Sequence, residues 1–498
     1  MPDLVIEPVN SVYIKINCER SIAKELNQYF TFSVPNYQFT PAYKNKIWDG
    51  QIRLFNLFTH SIYAGLHDYV VKFANDRNYS IQTLEHTDKT YTEEQISKFV
   101  EEFIKPTAAG KRITAHDYQI KAITHALNKE RSLLLCPTGS GKSLIIYCLM
   151  RLFLDRIKPD KKILIVVPTV GLVSQMYSDF KDYSKENKWS TERWCHVISS
   201  GKEKDTHKRV VVSTWQSIYK MPKEFFEQFD MVVGDECHLF KAKSLSTLMS
   251  KLTDCNVRIG TTGTLDGTHT HKLVIEGLFG RVLHVTTTSD LIQKNLLSNL
   301  SIQCILLQYS DKEIEETKRM EYKEEIKWII TNNKRNAFIR DLCSSLKGNT
   351  LVLFNFVELH GKPLYENFKH HITDKDVFFI HGGTDVEQRE HIRKVVDKQN
   401  NSILLASYGT CSTGINIRNI HNIIFASPSK SVIRVLQSIG RGLRKSETKN
   451  SVTVYDIGDD LKYKKYRNHS LNHMDERIRI YTREKFNYKL VSLKLKEN

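Results

Sequence analysis

The chain has 498 residues, 40% of them apolar, and no apolar run long enough to cross a bilayer, which excludes a membrane-spanning class. Lys and Arg number 73 against 56 Asp and Glu, and the formal net charge of +17 favours a polyanionic partner. The nine cysteines include no Cys-x-x-Cys pair, so neither a zinc site nor a disulfide framework is expected and all nine are read as structural.

The opening Met1-Pro2-Asp3-Leu4 lacks a basic n-region and an apolar h-region, so a cytoplasmic protein is expected. The first hundred residues read as a small α+β unit. Strands are predicted at Leu4–Ile6, Val12–Ile16, Gln51–Phe55 and Ser61–Ala64, and helices near Ser21–Tyr29 and Leu66–Asn75. Pro106 and Gly110 interrupt the pattern and predict a linker through Glu101–Gly110.

From about Gln119 to Leu283, short β-branched runs alternate with amphipathic segments. Strands are predicted at Ser132–Leu135, Lys162–Val167, Val210–Ser213, Met231–Val233 and Val257–Ile259, with helical patterns after Lys142, Gly171 and Lys243. Runs apolar at every position, such as Ile163-Leu164-Ile165-Val166-Val167, suit a parallel sheet covered on both faces. The alternation resumes after about Ser301, with strands predicted at Thr350–Phe354, Val377–Ile380, Ser402–Ala406, Asn422–Phe425 and Val452–Tyr455 and helices at Val386–Asp397 and Ser431–Leu443. A second doubly wound α/β domain is therefore expected. Asp311–Leu346 is charged and helix-prone and reads as a helical insertion at the start of that domain. The residues from Asp459 onward read as a basic helical tail, with Arg477, Arg479, Arg483 and Lys485 among aromatics.

Three motifs carry the chemistry. The first, Cys136-Pro137-Thr138-Gly139-Ser140-Gly141-Lys142-Ser143, lies between a buried strand and an apolar-periodic helix, the setting of a phosphate loop. Gly139 and Gly141 let backbone amides approach phosphates, Lys142 reaches the terminal two, and Ser143 can ligate magnesium at the helix N-terminus. Cys136 replaces the usual first glycine. In the second motif, Asp235-Glu236-Cys237-His238 emerges at the carboxyl end of a strand, where open α/β sheets bind ligands. Asp235 is assigned to magnesium and Glu236 to polarising the attacking water. His238 reads as a nucleotide-binding residue that relays between the nucleotide and Thr262-Gly263-Thr264 rather than as a metal ligand, because no second His or Cys lies at ligand spacing. In the third, Gln437, Arg441 and Arg444 recur at i, i+4 and i+7 and share one helix face, where arginine can grip phosphate bidentately.

On these residues the chain resembles the superfamily two helicases and translocases, over about residues 108 to 460. The resemblance implies two RecA-like doubly wound domains in tandem that use ATP and Mg2+. Pro137, Thr138, Gly139, Ser140, Gly141, Lys142 and Ser143 would hold the phosphates, and Gln119 would read adenine. Arg441 and Arg444 would join Lys142, Asp235 and Glu236 in catalysis, and Gln437 would contact nucleotide. It also implies that Thr169, Thr214, Asn355 and Thr413 grip a nucleic-acid backbone. The Asp-Glu-Cys-His form departs from the Asp-Glu-Ala-Asp RNA helicases and is closer to DNA remodellers. Together with the N-terminal module, it makes the whole chain similar to phage helicases of recombination and fork repair. Branched DNA is then the implied substrate, with RNA–DNA hybrids, single-strand-binding proteins and recombination proteins as further partners, no membrane, and a host-cell cytoplasmic location.

The expected domains are 1–107 (small, DNA-binding), 108–285 (first RecA-like, ATP-binding), 286–458 (second RecA-like) and 459–498 (basic tail). In the N-terminal segment Tyr43–Phe55, basic and aromatic residues interleave. Two readings stand. Either Lys44, Lys46 and Arg53 contact DNA beside stacking aromatics, or Trp48, Ile52, Leu54 and Phe55 build the small core and the basic residues are solvated. An RNA-remodelling helicase, or a nucleic-acid-binding protein with a degenerate ATP site, remains the alternative to a DNA helicase.

Overall fold

The computed structural model describes residues 2–35, 37–83, 90–198, 203–240, 243–265, 269–414, 417, 419–429, 431–443 and 449–495, without the side chains of 269–271, 386, 412–414, 432–434 and 441. The chain divides into two compact units. One comprises residues 1–136 and 141–285, and the other residues 286–498 with 137–140.

The first unit begins with strands β1 (Leu4–Pro8), β2 (Tyr13–Cys18), β3 (Thr31–Ser33), β4 (Gln51–Arg53), β5 (Ser61–Tyr63) and β6 (Ile81–Gln82). Four of them form a sheet in the order β5-β2-β1-β6, mixed because β6 runs parallel to β1, while β3 and β4 form a separate hairpin. Alternation puts Leu4, Ile6, Ile14 and Ile16 on one face, packed with Leu26, Val70 and Phe73 of the two helices Arg20–Tyr29 and His67–Asp76. Each such buried aliphatic side chain contributes about 1.5–3 kcal/mol.

This small domain is fixed to the α/β part of its unit. Leu273, from the helix His269–Phe279, lies inside its core. A Cβ on Gly65 would sit 2.1 Å from the carbonyl oxygen of Glu276, so only glycine permits that approach. The Tyr69 hydroxyl donates to Glu276 at 2.7 Å, and the Arg131 guanidinium donates to the Ser11 carbonyl.

The segment expected as a linker through Glu101–Gly110 is packed instead. A helix over Glu93–Phe99 continues as a π-helical turn to Ile104, which is buried in the first α/β core. Thr107 is buried as well and donates to the Asp182 carbonyl. Pro106 breaks the helix, but Val100 and Ile104 carry the chain along the core. Short strands β7 (Thr107–Ala108) and β8 (Lys111–Arg112) complete it.

The first large sheet uses β9 (Arg131–Leu135), β10 (Lys162–Val167), β11 (Cys195–Ile198), β12 (Val210–Thr214), β13 (Phe229–Gly234), β14 (Val257–Thr262) and β15 (Val282–His284), all parallel, in the order β11-β12-β10-β13-β14-β9-β15. Successive β10 side chains point to opposite layers. Ile163, Ile165 and Val167 meet the Lys142–Leu154 and Val170–Tyr183 helices, whereas Leu164 and Val166 join Leu248 and Phe279. The unpredicted strands, β11 and β15, are the two sheet edges.

The second unit has the corresponding sheet: β16 (Asn299–Gln308), β17 (Thr350–Phe354), β18 (Asp376–Ile380), β19 (Ser402–Ser407), β20 (Asn422–Phe425), β21 (Ser451–Asp460) and β22 (Tyr488–Lys494). It is parallel, in the order β18-β19-β17-β20-β21-β16-β22. The 311–346 stretch is part of this core rather than an appended insertion. Ile329, Ile339 and Cys343 on its helices pack with Val352 and Phe354, and most of its charged residues lie towards the surface, but Glu325 and Arg335 are buried. The tail is not all helix, since the His469–Arg483 helix leads into edge strand β22. Arg477, expected in a basic cluster, is 1% exposed. All nine cysteines are free thiols, and all but Cys18 are buried. Among the described residues no helix is long and apolar enough to cross a membrane.

Candidate active site

β9 delivers the chain into the loop from Cys136 to Gly141. Gly139 and Gly141 take φ values of 88° and 80°, a left-handed backbone that strains any residue with a Cβ. A Cβ on Gly141 would also meet the Gln119 amide nitrogen at 2.3 Å, so the loop and Gln119 are in close contact. The Gln119 side-chain oxygen accepts from the His116 backbone N–H at 2.9 Å, closing the start of its own helix. Cys136, in the place of the expected glycine, is buried, and its N–H donates to the Thr262 carbonyl.

β13 ends at Gly234, and the Asp235 N–H donates to the Val166 carbonyl, extending the ladder by one residue. The Asp235 carboxylate accepts from the Thr261 hydroxyl at 2.7 Å and from the Glu236 N–H at 2.9 Å. Glu236 has φ 51°, an uncommon left-handed conformation for a side-chain-bearing residue. This turns its carboxylate to the Lys142 ammonium at 3.0 Å. His238 Nδ1 lies 3.0 Å from Thr262 Oγ1 and 3.4 Å from Glu236 Oε2. Because the Thr262 hydroxyl donates to the Thr264 carbonyl, this network assigns the proton to His238 Nδ1.

The charges are mutually dependent. Burial opposes the Lys142 charge, but Glu236 and Asp235 outweigh it and hold the ammonium above its ordinary range. Burial likewise opposes ionisation of Glu236, yet Lys142 and His238 hold its carboxyl well below the usual range. Asp235 shifts the other way, raised by burial and by the neighbouring Glu236 charge.

The donor chemistry fits a nucleotide with a hard cation. Glu236 Oε2 is buried without a hydrogen bond, and Asp235 is a carboxyl that burial leaves short of positive charge. Among the described residues no three His, Cys, Asp or Glu gather into a metal cage. Ser143 and Asp235 could supply protein oxygens to an ion that otherwise takes oxygen from phosphate and water. The Ser143 hydroxyl, at the start of the Lys142–Leu154 helix, pairs with the Tyr183 hydroxyl at 2.9 Å.

Sequence reasoning missed Tyr183 and Thr261. Thr261 was within reach, because Gly234 pairs with Gly260 across the parallel ladder and the next residues are Asp235 and Thr261. No spacing signals Tyr183, which ends the Val170–Tyr183 helix and reaches Ser143 only through packing.

The nucleic-acid residues fall in separate places. Thr169 caps its helix by accepting from Leu172 N at 3.3 Å. Thr214 is 4% exposed, with its hydroxyl 2.9 Å from Ser217. The two lie at the carboxyl ends of neighbouring strands, where Val167 pairs with Thr214. Asn355 comes directly after β17, and its side-chain amide donates to the Pro428 carbonyl at 3.3 Å. Lys44 and Lys46 are exposed and line a surface pocket of about 640 Å³ with Tyr43, Ile47 and Trp48. Arg53 does not line the pocket but pairs at 2.5 Å with Asp49, which does. Of the residues expected to build the small core, Phe55 is buried and Leu54 packs partly buried against it, while Ile47 nearby is 78% exposed. Gln437 is half-buried on the helix Val432–Gly442. Arg444 and the side chains of Arg441 and Thr413 lie outside the described residues.

Three family models match the chain: the N-terminal domain of DNA helicase UvsW over residues 3–83, the res subunit of type III restriction enzymes over 112–267, and the helicase conserved C-terminal domain over 333–446. The chain is 35% identical to the ATP-dependent DNA helicase uvsW of Enterobacteria phage T4, over 97% of this chain and 98% of that protein. It is 22% identical to the DNA 3'-5' translocase XPB2 of Sulfurisphaera tokodaii, over 68% of this chain and 80% of that one. The crystal structure of T4 UvsW superposes with a TM-score of 0.52 at 32% identity, covering 99% of this chain and all of that one. A DNA-bound type ISP restriction-modification enzyme, LlaBIII, shares the fold with a TM-score of 0.57 at 15% identity, over 87% of this chain and 36% of that one. With identity of this degree over nearly its whole length, the chain belongs to the UvsW family of ATP-dependent DNA helicases.

Proposed function

We propose that this helicase remodels branched DNA, such as junctions, forks and displaced-strand loops, in recombination, replication and repair within the cytoplasm of a host cell. The reading rests on the Lys142–Glu236 pair at 3.0 Å with His238 beside it, a charge arrangement suited to ATP hydrolysis. The backbone N–H groups of the phosphate loop from Thr138 to Gly141, set up by Pro137, and the Lys142 ammonium bind the phosphates, and Gln119 selects adenine. Ser143 and Asp235 hold magnesium, which when bound neutralises charge on the phosphoryl oxygens. Glu236 orients the attacking water and accepts its proton. His238 transmits the state of Glu236 to Thr262, and Gln437, Arg441 and Arg444 contact the γ-phosphate.

Thr169, Thr214, Asn355 and Thr413 mark the strand-end loops that track the DNA backbone, and RNA–DNA hybrids fit the same track. Lys44 and Lys46, with Arg53 nearby, form a phosphate-neutralising patch on the small domain, with Tyr43 and Trp48 available to stack on bases. Single-strand-binding and recombination proteins are the expected companions.

The test is strand separation on a forked duplex with ATP, using Lys142→Ala and Arg444→Ala as comparators. The wild type should separate strands, and neither variant should, although Arg444→Ala still binds ATP. Equal turnover and unwinding by Arg444→Ala would remove that arginine from the γ-phosphate.

A further inference from the structure

Two guanidinium groups outside the nucleotide motifs are fully buried in the second unit: Arg335 on the helix Asn333–Ser345 and Arg477 on the helix His469–Arg483. Each divides its fork in the same way. Arg335 bonds Asp459 through Nε at 2.7 Å and Nη2 at 3.3 Å, and gives Nη1 to the Ala426 carbonyl at 2.8 Å. Arg477 bonds both Asp456 oxygens through Nε at 2.9 Å, and gives Nη1 to the Ser429 carbonyl at 2.9 Å. Both aspartates lie on β21, and both carbonyls lie on the four-residue stretch 426–429 between β20 and the helix Val432–Gly442.

The middle of that stretch is held too. The Asn355 N–H donates to Ser427 Oγ at 3.0 Å, His360 Nδ1 lies 2.8 Å from the same oxygen, and the Asn355 amide reaches the Pro428 carbonyl. The aspartates have further partners: Tyr309 and Ser470 hydroxyls on Asp459, and the Tyr481 hydroxyl on Asp456. An apolar pair would seal a helix against a sheet at lower desolvation cost, so simple packing does not account for two buried charges aimed at one loop. A planar fork can satisfy a carboxylate and a carbonyl together in fixed geometry, which an ammonium does poorly.

We infer that Arg335 and Arg477 are positioning residues for ATP hydrolysis, clamping residues 426–429 and thereby fixing the start of the helix that carries Gln437 and Arg441. The two segments whose purpose is illegible in sequence, the 311–346 stretch and the C-terminal tail, would then share one task. The inference rests on the reading that this helix contacts the γ-phosphate.

The test uses the full chain with two variants. Arg477→Lys keeps a cation beside Asp456 but loses the fork, and the double variant Arg477→Met with Asp456→Asn removes both charges without stranding either. Folding is checked by urea unfolding, and ATP affinity by binding of a non-hydrolysable analogue; kcat and KM are measured for DNA-stimulated hydrolysis. A misplaced catalytic group should lower kcat by about 10- to 100-fold. KM and analogue affinity should stay within about threefold, because ground-state binding is untouched. Folded variants with kcat within about twofold of wild type, or an Arg477→Lys protein that does not fold, would overturn the inference and leave a structural role. Arg441→Ala separates the two levels. If it loses turnover while the folded Arg477 variants keep theirs, only the clamp fails; if it turns over normally, the γ-phosphate reading fails.

Discussion

The Glu236 carboxylate stands between the Lys142 ammonium and His238 Nδ1 and is held by a left-handed turn of its own backbone. Glu236→Gln keeps the shape and removes the charge, so hydrolysis should fall by about 10²- to 10⁴-fold, the usual range for a lost general base. ATP binding should survive, which a fluorescent-analogue titration alongside steady-state turnover would check; equal losses in both would assign Glu236 to binding. Its ionisation also gives a signed pH dependence. The folded carboxyl sits below its ordinary value of 4.5, so the unfolded chain takes up the proton first as pH falls through that region. Stability contributed by Glu236 is therefore complete at neutral pH and is lost progressively below about pH 4.5. Urea unfolding of wild type and Glu236→Gln should differ by a constant amount down to about pH 5 and converge as the medium is acidified further, below about pH 4.5. A difference that widens in acid would contradict the assigned direction.

Among the elements, the contact between the small domain and the helix His269–Phe279 is as close as a backbone permits. Gly65→Ala places a methyl group against the Glu276 and Gly277 carbonyl oxygens and should cost about 1–3 kcal/mol, read as a lower urea midpoint. An unchanged midpoint would mean that the interface yields. On the opposite property, exposure, Lys44→Ala/Lys46→Ala/Arg53→Ala should flatten the slope of log affinity against log salt by about 2 to 3, near one unit per lost phosphate contact. An unchanged slope and affinity would mean the patch is merely solvated. Central parallel strands such as Lys162–Val167 and Thr350–Phe354 were legible because burial on both faces demands continuous apolar runs. Of the edge strands of the two large sheets, β18 was legible at Val377–Ile380, whereas β11, β15 and β22 were not. In β22, Tyr488, Leu490, Val491 and Leu493 are all more than a third exposed, so no buried face imprints a pattern on the sequence. Lys142, Asp235, Glu236 and His238 were legible for a different reason, since Lys142 opens the helix after a glycine-rich loop and the other three follow the end of an apolar strand. Arg335 and Arg477 read as ordinary surface charges because their partners, Asp459 and Asp456, are distant in sequence.

For the whole molecule, two tandem parallel sheets, a small domain fixed to the first and a net charge of +17 describe an ATP-driven machine built around a polyanion. Branched DNA is the proposed substrate that couples to ATP turnover. The most direct measurement is steady-state ATP hydrolysis with single-stranded DNA, duplex DNA, a four-way junction and RNA as separate stimulants, with Lys142→Ala as the blank. The junction should stimulate most, and the blank should stay flat with every polymer. Stimulation by RNA alone, or no turnover above the blank with any polymer, would contradict that assignment.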